Sequence, residues 1–296
     1  MKKYILLSII ALGSISCTDS FLEEKMVSTI TQDYFETEQG LEQLIVGTYD
    51  ALRVTKQYEQ GPASLMAGVD NFSQKTASRG MYSASEWNAT GKLAGFTNGL
   101  CGENAKSLLG FYPIINNCNR AIISIREGKA LGKFASDANY AAKALSEALF
   151  NRAYSLYIMS TMYGEIFVPQ GYTEELPNIF RMLITDLRYA YDHLPDVNEQ
   201  NLTTDFGRAT KGAAAHFLAK LYLQRAQGAK YGSSEYGVKA DGHVDTNNQK
   251  SYLGMLYKGE GAADLDSCIY YTSKVIDHGY YDLAPEFGKL FNHPLG

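Results

Sequence analysis

Apolar residues recur along this chain with the period of a helix, in one block after another. In "YFETEQGLEQLIVGTYDALR", Leu41, Leu44, Ile45, Thr48, Tyr49 and Leu52 fall at i, i+3, i+4, i+7, i+8 and i+11, which is one face of a helix. The period returns at Leu108 and runs through Tyr112, Ile115, Asn119, Ile122 and Ile123. "YAAKALSEALFNRAYSLYIMSTMYG" sets Ala142, Leu145, Leu149, Leu156 and Tyr163 on one stripe, with Gly164 placed to end it. "NIFRMLITDLRYAYDHLP" carries Phe180, Leu183, Leu187, Tyr191 and Leu194 and stops at Pro195. "RATKGAAAHFLAKLYLQRAQG" carries Ala214, Phe217, Leu218 and Leu221, and its alanine run suits close contact with a neighbour. "LDSCIYYTSKVIDHG" carries Leu265, Cys268, Ile269, Thr272 and Ile276.

Between these blocks the period fails. Residues 56–106 collect Gly, Ser, Asn and Thr and read as irregular loops, and "GSSEYGVKADGHVDTNNQ" reads as a long polar insertion. Helices in sequential pairs, with small residues where partners must approach, predict an all-α fold. Its architecture is tetratricopeptide-like: stacked helical hairpins with long irregular loops, closed by the helix near 265–278. Strand signals are few.

The first residues follow another logic. Lys2 and Lys3 precede an apolar run, Tyr4 to Leu12, too short to span a bilayer; Gly13, Ser14 and Ser16 follow, then Cys17. That order predicts a signal peptide over 1–16. A cysteine directly after small residues resembles a bacterial lipobox, so Cys17 is expected to be acylated and to become the mature N-terminus. Ser14 stands where a lipobox usually has leucine, and a plain signal peptide with an incidental cysteine is the competing reading. Residues 17–32 are then a polar tether, and membrane attachment is by lipid anchor only.

Composition narrows the chemistry by exclusion. The net charge of −5 gives no support for nucleic acid as a partner, since that binding relies on clustered Lys and Arg. His193, His216, His243, His278 and His293 are scattered without metal spacing, so neither metal nor cofactor is expected. Cys101 and Cys118 leave two readings open, a disulfide or buried free thiols. "GRATKG" does not meet P-loop spacing, and reads as a turn at Gly207 with a helix starting at Arg208. Glu147 and Glu165 are the nearest thing to an acid–base pair, and carboxylates on solvated helical faces are the commoner case. The reading is not an enzyme.

The chain has 22 tyrosines and a single tryptophan. Sugars present C–H faces that pack on aromatic rings, and hydroxyls that take hydrogen bonds from Asn, Asp and Arg. Trp87, with Asn71, Arg79, Tyr82 and Asn88 nearby in the irregular segment, is the constellation best suited to that task. Burial under a long loop is the ordinary alternative for Trp87.

Several stretches, in order, resemble the SusD/RagB nutrient-binding lipoproteins of Gram-negative outer membranes. "CTDSFLEEK" is similar to that family's mature start, and "YFETEQGLEQLIVGTYDALR" to its first helix. "FYPIINNCNRAI", "ALFNRAYSLYIMSTMYGEIFVP", "DLRYAYDHLP", "GRATKGAAAHFLAKLYL" and "VIDHGYYDLAPEFGKLF" resemble later family motifs. The resemblance implies a helical domain over 33–296 from which the family's C-terminal part, beyond "LFNHPLG", is missing. It implies display at the outer-membrane surface and capture of an oligosaccharide, or a peptide, with no catalysis. It also implies delivery to a SusC-like TonB-dependent β-barrel transporter. The rival reading is a helical-repeat scaffold that binds a protein and no small ligand.

Overall fold

The computed structural model describes residues 32–57, 101–163, 166–168, 172–174, 176–201, 203–231, 236–238, 244–249, 261–283 and 285–286. Among the described residues there are seven α-helices: α1 (Glu38–Gln57), α2 (Cys101–Arg126), the single turn α3 (Lys133–Ser136), α4 (Ala138–Tyr163), α5 (Leu176–His193), α6 (Lys211–Tyr231) and α7 (Ala262–Ile276). Two short antiparallel hairpins join them. β1 (Ile166–Val168) pairs with β2 (Tyr172–Glu174), and β3 (Tyr236–Val238) with β4 (Val244–Gln249). The second hairpin falls in the stretch expected to be a long polar insertion.

Caps set two of the starts. Thr37 Oγ1 accepts from Gly40 N at 3.1 Å and donates to Tyr34 O at 2.6 Å, fixing the entry to α1. The chain comes so close there that a Cβ on Gly40 would strike the Tyr34 backbone. α6 begins at Lys211 rather than at Arg208, because Thr210 is its cap: Thr210 Oγ1 accepts from Ala213 N at 3.1 Å. Gly207, at φ 83°, makes the expected turn and leaves Arg208 in the connection.

Each long helix packs on the next, α1 on α2, α2 on α4, α4 on α5, α5 on α6 and α6 on α7, and α4 also meets α1. Successive long helices run antiparallel. Leu131 N, just beyond α2, bonds Glu36 O, just before α1, at 2.8 Å, and Tyr222 of α6 stacks on Tyr271 of α7 at 5.9 Å while Arg225 meets Asp264 at 3.5 Å. The fold is therefore a stack of helical hairpins, as the periodicity predicts.

α4 lies at the centre, and nearly all of 144–160 is buried whichever way the side chain points. The inward faces of α1, α5 and α6 are the expected ones: Leu41, Ile45, Leu183, Leu187 and Leu218 are all almost wholly buried. Burying each such side chain stabilises the fold by roughly 1.5–3 kcal/mol. Two expectations of burial fail. Ile123 lies on the solvent side of α2, and the aliphatic members of the α7 stripe, Leu265, Ile269 and Ile276, are exposed. α7 instead turns Asp264 and Tyr271 inward, because Tyr222 and Arg225 of α6 give a ring and a cation to meet them.

The helix α2 also settles the cysteine question. Cys101 and Cys118 share it, roughly 25 Å apart at ~1.5 Å per residue. A disulfide needs Cα atoms within about 7 Å. Cys118 is a buried free thiol.

Candidate functional site

Antiparallel stacking sorts the connections. One end of the stack gathers the C-termini of α1, α4 and α6 and the N-termini of α2, α5 and α7. From it leave the two longest segments, 58–100 and 232–260, and the connection 164–175 that carries the first hairpin. The other end holds the links at 127–137 and 194–210, both shorter than those two segments, and the residues that follow α7.

The short-link end is locked by ion pairs. Arg208 Nη1 donates to Glu147 Oε1 at 3.2 Å, and its Nη2 meets Glu42 Oε1. Tyr49 OH donates to Glu147 Oε2 at 3.1 Å and accepts from Ala209 N at 3.1 Å, while Lys143 Nζ donates to Asp205 Oδ2 at 3.0 Å. Burial pushes the Glu147 carboxyl up against the pull of Arg208, and burial together with the Glu147 charge lifts the Tyr49 phenol well above its usual range. For Asp205 burial also raises, but Lys143 and Arg208 outweigh it and hold the carboxyl below its usual value. Glu147 is thus a buried member of a network, not a carboxylate on a solvated helical face. Both its oxygens are engaged, one by a guanidinium and one by a phenol. That joins α1 and α4 to the α5–α6 connection. Glu165 lies outside the described residues.

A second buried cluster ties three helices at mid-height. Arg152 of α4 donates through Nε and Nη2 to Asp186 of α5 at 2.9 and 2.8 Å, and through Nη1 to Asn119 of α2 at 2.8 Å. Burial raises the Asp186 carboxyl, and the fork of Arg152 opposes it. Both clusters hold the scaffold. Among the described residues no group of three or more His, Cys, Asp or Glu is arranged to hold a metal.

The long-segment end carries different chemistry. In β1, Ile166 and Val168 point inward while Phe167 is 46% exposed, the alternation a strand imposes. Tyr112 OH, from α2, donates to Phe167 O at 3.1 Å, and the two rings lie 6.5 Å apart. A partly exposed aromatic pair with a hydroxyl beside it is a surface on which a sugar ring can stack. Sequence reasoning gave neither residue a ligand role. The available signal was the isolated "IFV" between "YGE" and "PQG", where an apolar centre flanked by apolar residues must face out if both neighbours face in.

Asn71, Arg79, Tyr82, Trp87 and Asn88 lie outside the described residues, as does Cys17. What the structure gives is the origin of their segment. It leaves α1 after Gln57 and rejoins at Cys101, at the end of the stack that carries Tyr112 and Phe167. No described helix is long and apolar enough to cross a membrane.

Comparison with known proteins follows the same lines. Residues 20–223 match the SusD-like family described as "Starch-binding associating with outer membrane". A SusD-like protein of Bacteroides ovatus is 25% identical over 99% of this chain and 47% of its own length. SusD-like protein P2 of Formosa agariphila is 26% identical over 76% of this chain and 44% of its own. The chain thus spans a little under half the length of these relatives. In the crystal structure of a SusD homologue from Bacteroides thetaiotaomicron the fold recurs with a TM-score of 0.59 at 14% identity, covering 88% of this chain and 44% of that one. With the family matched from the residues before the first helix to the middle of α6, this chain belongs to the SusD-like family of outer-membrane-associated, carbohydrate-binding proteins.

Proposed function

We propose that this protein captures an oligosaccharide at the long-segment end of its helical stack and passes it to a SusC-like TonB-dependent β-barrel transporter, without catalysing a reaction. The observation that supports this most is positional. Trp87, Tyr82, Arg79, Asn71 and Asn88 belong to the connection between α1 and α2, which leaves the same end of the stack as β1, where Phe167, against Tyr112, exposes aromatic surface. Stacking rings set among amide and guanidinium donors are the chemistry that holds a sugar. The ion-pair networks lie in the core and at the opposite end, so rigidity and ligand chemistry are kept apart.

Delivery requires the protein to sit at the membrane. A signal peptide over 1–16, an acylated Cys17 and a tether over 17–32 would hold it there by lipid alone, displayed at the cell surface. Labelled palmitate should enter the wild type and not Cys17→Ala, and equal labelling would remove the anchor from this reading. The binding claim is tested by titrating the intact chain with a panel of plant and storage glycans. Saturable binding of at least one oligosaccharide is the expected result. Failure of the whole panel, with the helical signal intact, would defeat the proposal.

A further inference from the structure

The junction around Arg208 holds more negative charge than positive. Glu42 of α1, Glu147 of α4 and Asp205 of the α5–α6 connection bring three carboxylates, against two cations, Arg208 and Lys143. Glu42 and Glu147 share one guanidinium, Glu42 on Nη2 and Glu147 on Nη1 at 3.2 Å, and Asp205 Oδ1 stands 3.9 Å from its Nε. Lys143, 3.0 Å from Asp205, is engaged by that carboxylate. One negative charge is left without a full counter-charge. The Glu147 side chain is 1% exposed, against 30% for Glu42 and 17% for Asp205, so Glu147 is the carboxylate that water helps least.

A proton on Glu147 removes that excess and keeps the geometry. A neutral carboxyl still accepts from Arg208 Nη1 through one oxygen, and the other can donate to the Tyr49 phenol oxygen, 3.1 Å away. The groups that face it are Glu42 and Tyr49 from α1, Lys143 from its own helix and Asp205 and Arg208 from the connection, with Tyr140 of α4 behind Glu42. Burial leads in raising the Glu147 carboxyl above its ordinary value; Arg208, Tyr49 and Lys143 pull it down, and Glu42 adds to the rise. Asp205 is held below its ordinary value and stays charged over the same range. We propose that this junction is a proton-operated latch: one proton on Glu147 fastens the α5–α6 connection to α1 and α4, and its loss as pH rises loosens that hold. A carboxyl raised in the closed state contributes its stability in full below the ordinary carboxylate range, and loses it as pH rises through the raised value. The apolar hold on the connection is small, because Ala209 packs with Ala190, Leu194 and Ala214 in a four-residue cluster separate from the main core. Opening the latch frees the Ala209 amide, which donates to Tyr49 OH at 3.1 Å.

The latch does not rest on the glycan reading. It is tested by amide hydrogen exchange of the intact chain, with each rate corrected for the intrinsic pH dependence of exchange. In wild type, protection of the Ala209 amide should fall by roughly tenfold from about pH 5 to about pH 8. Glu147→Gln places an uncharged side chain of the same shape there, and its protection should stay level. Glu42→Gln, at a part-exposed position, removes the neighbouring like charge and leaves the guanidinium to Glu147, so the fall should move to lower pH. Carboxyl carbon NMR shifts of Glu147 in wild type need no variant, and their midpoint should lie above the ordinary value of about 4.3. Should Glu147→Gln fail to fold, that midpoint and Glu42→Gln decide. Wild-type protection that stays level or rises with pH, the same fall in Glu147→Gln, an unmoved fall in Glu42→Gln, or a Glu147 midpoint at or below the ordinary value would each overturn the proposal.

Discussion

Asn119, Arg152 and Asp186 come from three helices and meet in one buried hydrogen-bonded cluster, with Arg152 and Asp186 side chains only 8% and 4% exposed. Such a pair is weak as a source of stability and costly to break, because removing one member leaves the other charged and out of water. Asp186→Ala should therefore lower unfolding free energy by about 3–5 kcal/mol. Urea denaturation measures it, and a loss well under 1 kcal/mol would mean that water reaches Arg152. Close by, burial pushes the Cys118 thiol up to about 12. At neutral pH it is held as the unreactive thiol. Native chain treated with iodoacetamide should show Cys118 unmodified by peptide mass mapping, and rapid alkylation without unfolding would contradict that burial. Neither cluster could be read in the sequence. "NRAY" displays Arg152, but its partners stand 33 and 34 positions away on other helices, and only the packing brings them in.

At the scale of the element, periodicity identified the long helices and the correct inward faces of α1, α5 and α6, where one apolar stripe packs on the neighbouring helices and the opposite positions stay exposed. It could not show the two-faced character of α7. Its stripes share one spacing and differ by a single residue, so the more aliphatic of the two looked like the core. The sequence reading starts α6 at Arg208; the helix starts at Lys211, because Thr210 is the capping residue, three positions before Ala213. The small hairpins escaped because strands of three residues carry almost no period. A paired substitution tests the faces. Leu218, at 0% exposure, should tolerate no charge, and Leu218→Asp should remove several kcal/mol or prevent folding. Leu265→Asp, on the exposed α7 stripe, should stay within about 0.5 kcal/mol of wild type. Equal effects in thermal unfolding would show that the assignment of inner and outer faces is wrong.

Across the whole molecule, the helical stack separates two tasks. One end and the core are fastened by Arg208 and Arg152, and the opposite end sends out the long connections. The fold class was legible because helical stacking is written in local spacing. The candidate site was legible only as composition, a tryptophan among Asn, Arg and Tyr, since the sequence does not say where a loop returns to the scaffold. The structure supplies its two ends: the segment holding Trp87 leaves α1 at Gln57 and enters α2 at Cys101, at the end of the stack where α4 runs into β1 and Phe167. If it is a sugar platform, removing the indole should cost on the order of 1–3 kcal/mol of binding, by analogy with bases stacked on aromatic side chains. The most direct measurement is calorimetric titration of wild type and Trp87→Ala with the oligosaccharide that binds wild type best, alongside circular dichroism and thermal unfolding of both. The account predicts that binding falls by that amount or vanishes in Trp87→Ala while the helical signal and midpoint hold. Undiminished binding by the variant, or collapse of its fold, would contradict it.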